Sequence, residues 1–179
     1  MTVYGIQVEV AVGNDSGEGA LQRLAVAFER SGPAIADFGR FVFPRLSGVF
    51  EDAVTEQFDG RGSGPTSGSW AELTPDYAKW KAGAYPGQPL MELTGALRAG
   101  LTSPGAPTAF RQWSSTDFTF GTSGVEYASF HQTGTGRMKA RPPFDFGPSF
   151  EQALTRETAA GVRDAVKTAS NGMIEAEGD

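Results

Sequence analysis

The sequence predicts an α+β fold: an antiparallel β-sheet flanked by helices, with a long kinked helical region toward the N-terminus and a helix near the C-terminus. Three observations carry this expectation. Apolar residues alternate with period two over 3–12 and again over 110–123, the mark of half-buried strands. They recur at helical spacing over 34–58 and 148–169. Between these segments, 24 glycines and 11 prolines in 179 residues imply long loops.

Each element has a local reason. Val3, Ile6, Val8, Val10 and Val12 interleave with small or polar residues, which predicts the first strand. Asp15 or Ser16 then caps a helix over 18–30, with Leu21, Leu24, Ala25 and Phe28 on one face. Pro33 opens the next helix, over 34–58, where Ile35, Phe38, Val42, Leu46, Val49 and Ala53 form the apolar stripe. Pro44 removes one hydrogen bond there and predicts a kink or break. Residues 59–69 contain no apolar member and read as a flexible loop. The loop is glycine-rich, but it lacks the Gly-Lys-Ser/Thr ending that places a lysine on phosphates.

Thr74 and Pro75 start a short helix on which Tyr77 and Trp80 are expected to pack. After the turn chemistry of 83–89, Leu93, Leu97 and Leu101 predict a second short helix over 90–101. A hairpin is expected over 110–123, turning at Ser114–Asp117. Phe110, Gln112, Ser114, Thr116, Phe118 and Phe120 share one face and Trp113 lies on the other. Residues 125–132 read as a following strand and 148–169 as the closing helix. The whole forms a single domain over 1–170, with a disordered acidic tail over 171–179.

Composition narrows the classes of function. Apolar residues make up 39%, with 13 Phe and 3 Trp to supply buried area, which is enough for a modest core. The absence of cysteine excludes disulfides and zinc–thiolate sites and suits a reducing compartment. The start, MTVYGIQVEV, has neither a basic n-region nor an apolar h-region, so no signal peptide is expected. No stretch approaches the roughly 20 apolar residues of a membrane span. A net charge of −6 argues against wrapping DNA as a ligand, though not against standing beside it.

The candidates for chemistry are sparse. His131 is the single histidine; Ser129 and Thr133 flank it, but no Gly-x-Ser-x-Gly elbow accompanies it. The acids Asp15, Glu18, Asp117, Glu126 and Asp145 are scattered rather than clustered like metal ligands. No catalytic residue, metal or cofactor is expected. The dense basic run Arg137, Lys139 and Arg141 stands beside Gly134 and Gly136, and Pro142 and Pro143 stiffen its exit toward Phe144. That pattern reads as a mobile arm docking on an acidic neighbour or on DNA phosphate. Tyr127, His131 and Gln132 are expected on the sheet edge beside it.

Two blocks carry a resemblance. The first runs Trp70, Leu73, Lys79, Trp80, Lys81, Leu90, Leu93-Thr94-Gly95 and Leu97-Arg98. The second runs Gly121, Tyr127-Ala128, His131-Gln132, Gly134 and Arg141-Pro142-Pro143-Phe144. In order and spacing they resemble the phage virion-morphogenesis and tail-completion families, which show a single proline where this chain has two. The resemblance implies a non-enzymatic structural virion protein: a neck or tail-completion component joining tail to head connector. It implies a homo-oligomeric ring, a hexamer, around the DNA channel. The partners would be further copies and adjacent neck and tail proteins, with genomic DNA passing through the lumen without sequence-specific binding. The location would be the virion, with host cytoplasm during assembly. A tail terminator or minor tail protein is the alternative within the same class. A virion-associated hydrolase and a free adaptor are the alternatives outside it.

Overall fold

A computed structural model describes residues 38–62, 64, 68–114 and 117–176, with side chains described within 39–168. The expected strand at 3–12 and helix at 18–30 lie outside the described residues. The first described helix, α1 (Phe38–Asp59), forms because Val42, Leu46, Phe50, Val54 and Phe58 recur at every fourth position, and all five are buried. Pro44 lies inside it without dividing it and sits on the exposed face.

The other long helix, α5 (Pro148–Ala176), runs antiparallel along α1, since Phe150 meets Phe50 and Arg45 reaches Glu157 and Asp164. Gly161 lets the two backbones approach: a Cβ there would fall 2.8 Å from the Phe41 carbonyl oxygen. The helix continues past the expected end at Ala169 to Ala176. The tail predicted to be disordered from 171 is therefore helical until that point.

Among the described residues the sheet is a two-stranded antiparallel hairpin, β1 (Ala109–Trp113) with β2 (Phe118–Thr122). The Ser114 amide donates to the Asp117 carbonyl at 2.8 Å, and the Asp117 amide donates to Ser114 Oγ at 3.0 Å, closing the expected turn. That turn corrects the predicted faces. Trp113 pairs with Phe118, so odd positions on β1 share a face with even positions on β2. Arg111 rather than Phe110 therefore stands opposite Phe120.

Two helix expectations change. The segment predicted to be helical over 90–101 is helical only in α3 (Ala96–Thr102), because Met91 and Gly95 adopt left-handed backbone at φ 69° and 75°. The segment predicted as a strand over 125–132 forms α4 (Ala128–Thr133). Gly124, at φ 70°, turns the chain out of β2, and the next amides bond locally: Ala128 to Val125, His131 to Tyr127, Gly134 to Phe130. These amides are thereby withdrawn from any ladder. The short helix α2 (Pro75–Ala84) forms as expected, with Pro75 in its first turn, although the Thr74 side chain makes no cap bond.

The core is a connected cluster of rings. Phe50 stacks on Phe120 at 5.0 Å, Phe43 on Phe118 at 5.6 Å, and Phe146 meets Phe150 at 4.1 Å. Arg111 threads into this cluster with its side chain only 7% exposed, its guanidinium 3.8 Å from the Phe120 ring centroid. It donates to Glu51 on α1, to the Gly100 and Leu101 carbonyls at the end of α3, and to the Gly121 carbonyl on β2. Burial lowers its pKa, and the bond to Glu51 works against that shift.

The two helical glycines Gly48 and Gly161 make opposite predictions. Gly48→Ala meets open space and is expected to stabilise the protein by about 0.5–1 kcal/mol through helix propensity alone. Gly161→Ala gains the same propensity but pushes a methyl into α1, and overpacking of this kind costs about 1–3 kcal/mol. Urea unfolding of both variants checks the difference in sign.

Candidate functional site

The two sequence blocks meet in space through reciprocal ties. Trp70, 4% exposed, donates its indole N–H to the Pro142 carbonyl at 3.0 Å and meets Phe58 edge-on at 5.3 Å. Arg141, 6% exposed, donates from Nε to the Ala71 carbonyl at 2.7 Å and from Nη2 to the Glu72 carbonyl at 3.0 Å. Pro142 and Pro143 are buried beside it. Arg141 is therefore removed from the docking run expected from sequence: its planar fork is spent on the backbone of its own chain. Burial lowers its pKa, while the Glu72 carboxylate and Tyr77 pull the other way.

Gln132 is likewise committed within the chain. Its amide nitrogen donates to the Phe144 carbonyl at 2.9 Å, and its amide oxygen accepts from the Phe144 N–H at 3.3 Å. The segment expected to be a mobile arm is a closed finger over 134–140. The Thr135 amide donates to the Met138 carbonyl at 2.8 Å, and Thr135 Oγ1 accepts from the Arg137 and Met138 amides. The Arg141 amide closes its base on the His131 carbonyl at 2.8 Å. Gly134, at φ 76°, makes the turn into it, while Arg137, Gly136 and Lys139 are exposed on it.

Around this staple lies an aromatic surface. On α2, Tyr77 and Trp80 are 41% and 50% exposed and pack on each other at 5.2 Å, with Tyr85 meeting Trp80 at 5.8 Å. Trp80, expected in the core, is thus part of a surface cluster. The helix turns one of its two lysines inward instead: Lys81 is buried and donates to the Pro89 carbonyl, while Lys79 is exposed. Burial lowers the Lys81 pKa, Glu92 opposes that, and Arg141 adds to it. On α4, Tyr127 and Phe130 are 41% and 52% exposed. The two helices belong to one neighbourhood, because Tyr77 and His131 both lie within electrostatic reach of Arg141. Of the remaining motif residues, Leu97 is buried, Leu73 packs against the core and Leu93 is half-buried. Thr94 is exposed, and its hydroxyl accepts from the Ala96 amide at the start of α3.

His131 meets Tyr127 edge-on at 5.8 Å, one helical turn apart, and its Nδ1 is buried without a hydrogen-bond partner. The flanking Thr133 hydroxyl is engaged with the main chain, since its Oγ1 donates to the Ser129 carbonyl. Burial, and then the Arg141 charge, lower the imidazole pKa from 6.5 to about 4. Among the described residues no three His, Asp or Glu side chains converge as metal ligands, and no helix is long and apolar enough to cross a membrane.

The inward turns of Lys81 and Arg111 were not legible in the sequence, since a cation beside an aromatic residue reads equally well as a solvated one. The i, i+4 spacing of Tyr127 and His131 was a helical signal within a stretch that also alternates. No family model matches this chain, and no curated protein or solved structure is significantly similar to it.

Two outcomes follow. Above pH 6.5 His131 is neutral in both folded and unfolded chains; below it, only the unfolded chain binds the proton until about pH 4. Stability should therefore fall between those values, by no more than about 2–3 kcal/mol given the partial exposure of the ring, and level off below. Urea unfolding of wild type and His131→Asn at pH 7 and 4.5 isolates this contribution. Arg141→Lys keeps the charge but loses the fork, with an expected cost of about 1.5–3 kcal/mol at pH 7 in the same assay.

Proposed function

We propose that the chain is a structural component of a tailed-phage head-to-tail joint: a neck or tail-completion protein that works as a homo-oligomeric ring around the DNA channel. The reading starts from the resemblance of the two sequence blocks. The observation that supports it most is their interlock. Trp70 and Arg141 tie the blocks together, and the tie presents Tyr77, Trp80, Tyr127 and Phe130 on the surface. Large exposed aromatics backed by a rigid base are what a protein–protein interface needs, because such rings bury much area at little cost in side-chain entropy. A site for small-molecule chemistry would instead gather convergent polar groups in a pocket. The only imidazole of the chain holds an orphaned nitrogen in its own interior.

In this role the acidic excess of the chain lets a phosphate backbone pass without adhering. The closed finger at 134–140 holds its two exposed cations at a fixed place next to α4. An alternative placement within the virion, as tail terminator or minor tail protein, would use the same face.

Trp80→Ser and Phe130→Ser should leave the thermal midpoint close to wild type, since both rings are half exposed. They should shift the oligomer distribution toward monomer. Mass photometry of the full chain over a concentration series, followed by electron microscopy of particles carrying each variant, reads the effect. Unchanged assembly and unchanged particle yield would sink the interface assignment.

A further inference from the structure

We infer that Arg137 and Lys139 on the finger of one copy enter a cleft bordered by Glu56 and Asp145 on the next copy, making the ring contact a head-to-tail pairing of two different surfaces. This rests on the reading of the chain as a ring-forming subunit and names the partner surface of its finger.

The cleft lies where α1 ends and α5 begins, and its volume is about 270 Å³. Glu56 and Gln57 line it from α1, Asp145 and Phe146 from the connecting segment, and Ser149 and Phe150 from the start of α5. Gly64 approaches so closely that a Cβ there would overlap the Asp145 carboxyl, so its backbone forms part of the wall. Glu56 is exposed and holds no cation among the described residues. The walls combine phenylalanine rings with carboxyl groups. That combination suits a long cationic side chain, whose methylenes lie on the rings while its head meets the exposed Glu56 carboxylate.

The finger has the complementary form. Its backbone is closed by the paired Thr135–Met138 bonds, so holding its tip costs little entropy on docking. Arg45, Arg61 and Arg98 already hold carboxylates within the chain. Arg137 and Lys139 hold none among the described residues and are exposed. No finger residue lines the cleft, so the two are different surfaces and the contact is heterologous: each copy offers one of each, and the pairing repeats until the ring closes. A second copy fits better than DNA, since a chain of net charge −6 repels a phosphate backbone beyond the finger.

The test exploits that repetition. Glu56→Lys leaves both surfaces positive; Arg137→Glu with Lys139→Glu leaves both negative. Each variant alone is expected to run as monomer in size-exclusion chromatography with light scattering, at an unchanged thermal midpoint. An equimolar mixture is expected to regain oligomers, because the wild-type finger of one variant then meets the wild-type cleft of a partner, and the reversed finger meets the reversed cleft. In the cysteine-free chain, Glu56→Cys combined with Lys139→Cys should give a disulfide-linked ladder on a non-reducing gel. If wild type assembles and both charge variants assemble equally well, the finger–cleft pairing is wrong and the ring reading stands. The pairing is equally wrong if the cysteine variant closes only within one chain, or if the finger variant loses retention of double-stranded DNA while assembly is unchanged. If wild type stays monomeric at every concentration and on isolated tails, the ring reading falls and takes the pairing with it.

Discussion

A guanidinium removed from water must find acceptors for its N–H groups, and two such groups organise this protein. Arg111 collects its acceptors from α1, α3 and β2, and Arg141 collects its own from the main chain at Ala71 and Glu72. Each acceptor is fixed in place by the need to satisfy a buried charge. Arg111 thereby locks the hairpin to α1 and α3, with its guanidinium over Phe120. Arg141 locks the segment after α4 against the segment before α2. Either would be costly to leave half satisfied, so each tie specifies a relative position as well as adding stability.

The surface follows from the second tie. With Arg141, Pro142 and Trp70 filling the interior, the rings of α2 and α4 have no remaining core to enter. Tyr77, Trp80 and Tyr85 associate with one another instead, and Phe130 faces outward. The inward turn of Lys81 has the same origin: α2 covers a polar patch made by the Pro89 carbonyl and Glu92, which accommodates an ammonium better than a ring. The outward aromatics are the surface counterpart of an inward set of cations.

The long helices obey a steric rule. Antiparallel packing of α5 on α1 depends on Gly161 beside Phe41 and Val42, and the start of α5 is held to the middle of α1 through Phe50, Phe146 and Phe150. Exposed ion pairs such as Arg45 with Asp164 decorate this contact and add little, because water screens them. The cleft at Glu56 is a by-product of the geometry: α5 starts just where the chain from Phe144 must turn, and Gly64 packs on Asp145 at its wall.

Local periodicity was enough to define one set of elements: α1 and α5 from their apolar stripes, α2 from Thr74-Pro75, and the hairpin with its Ser114–Asp117 turn. For the candidate site the sequence supplied the two blocks and their glycines, but not the division of labour within them. Arg137, Lys139 and Arg141 alternate as if equivalent, yet two are exposed and one is buried. Folding makes that division, because the acceptors for Arg141 lie some seventy residues away in the chain. It also decided that the 125–132 segment is largely helical and that 90–95 is not, since both depend on backbone at Gly124, Met91 and Gly95 that no periodicity encodes. Local spacing reports how a segment can bury its own apolar face; which polar group it must meet is a property of the assembled chain.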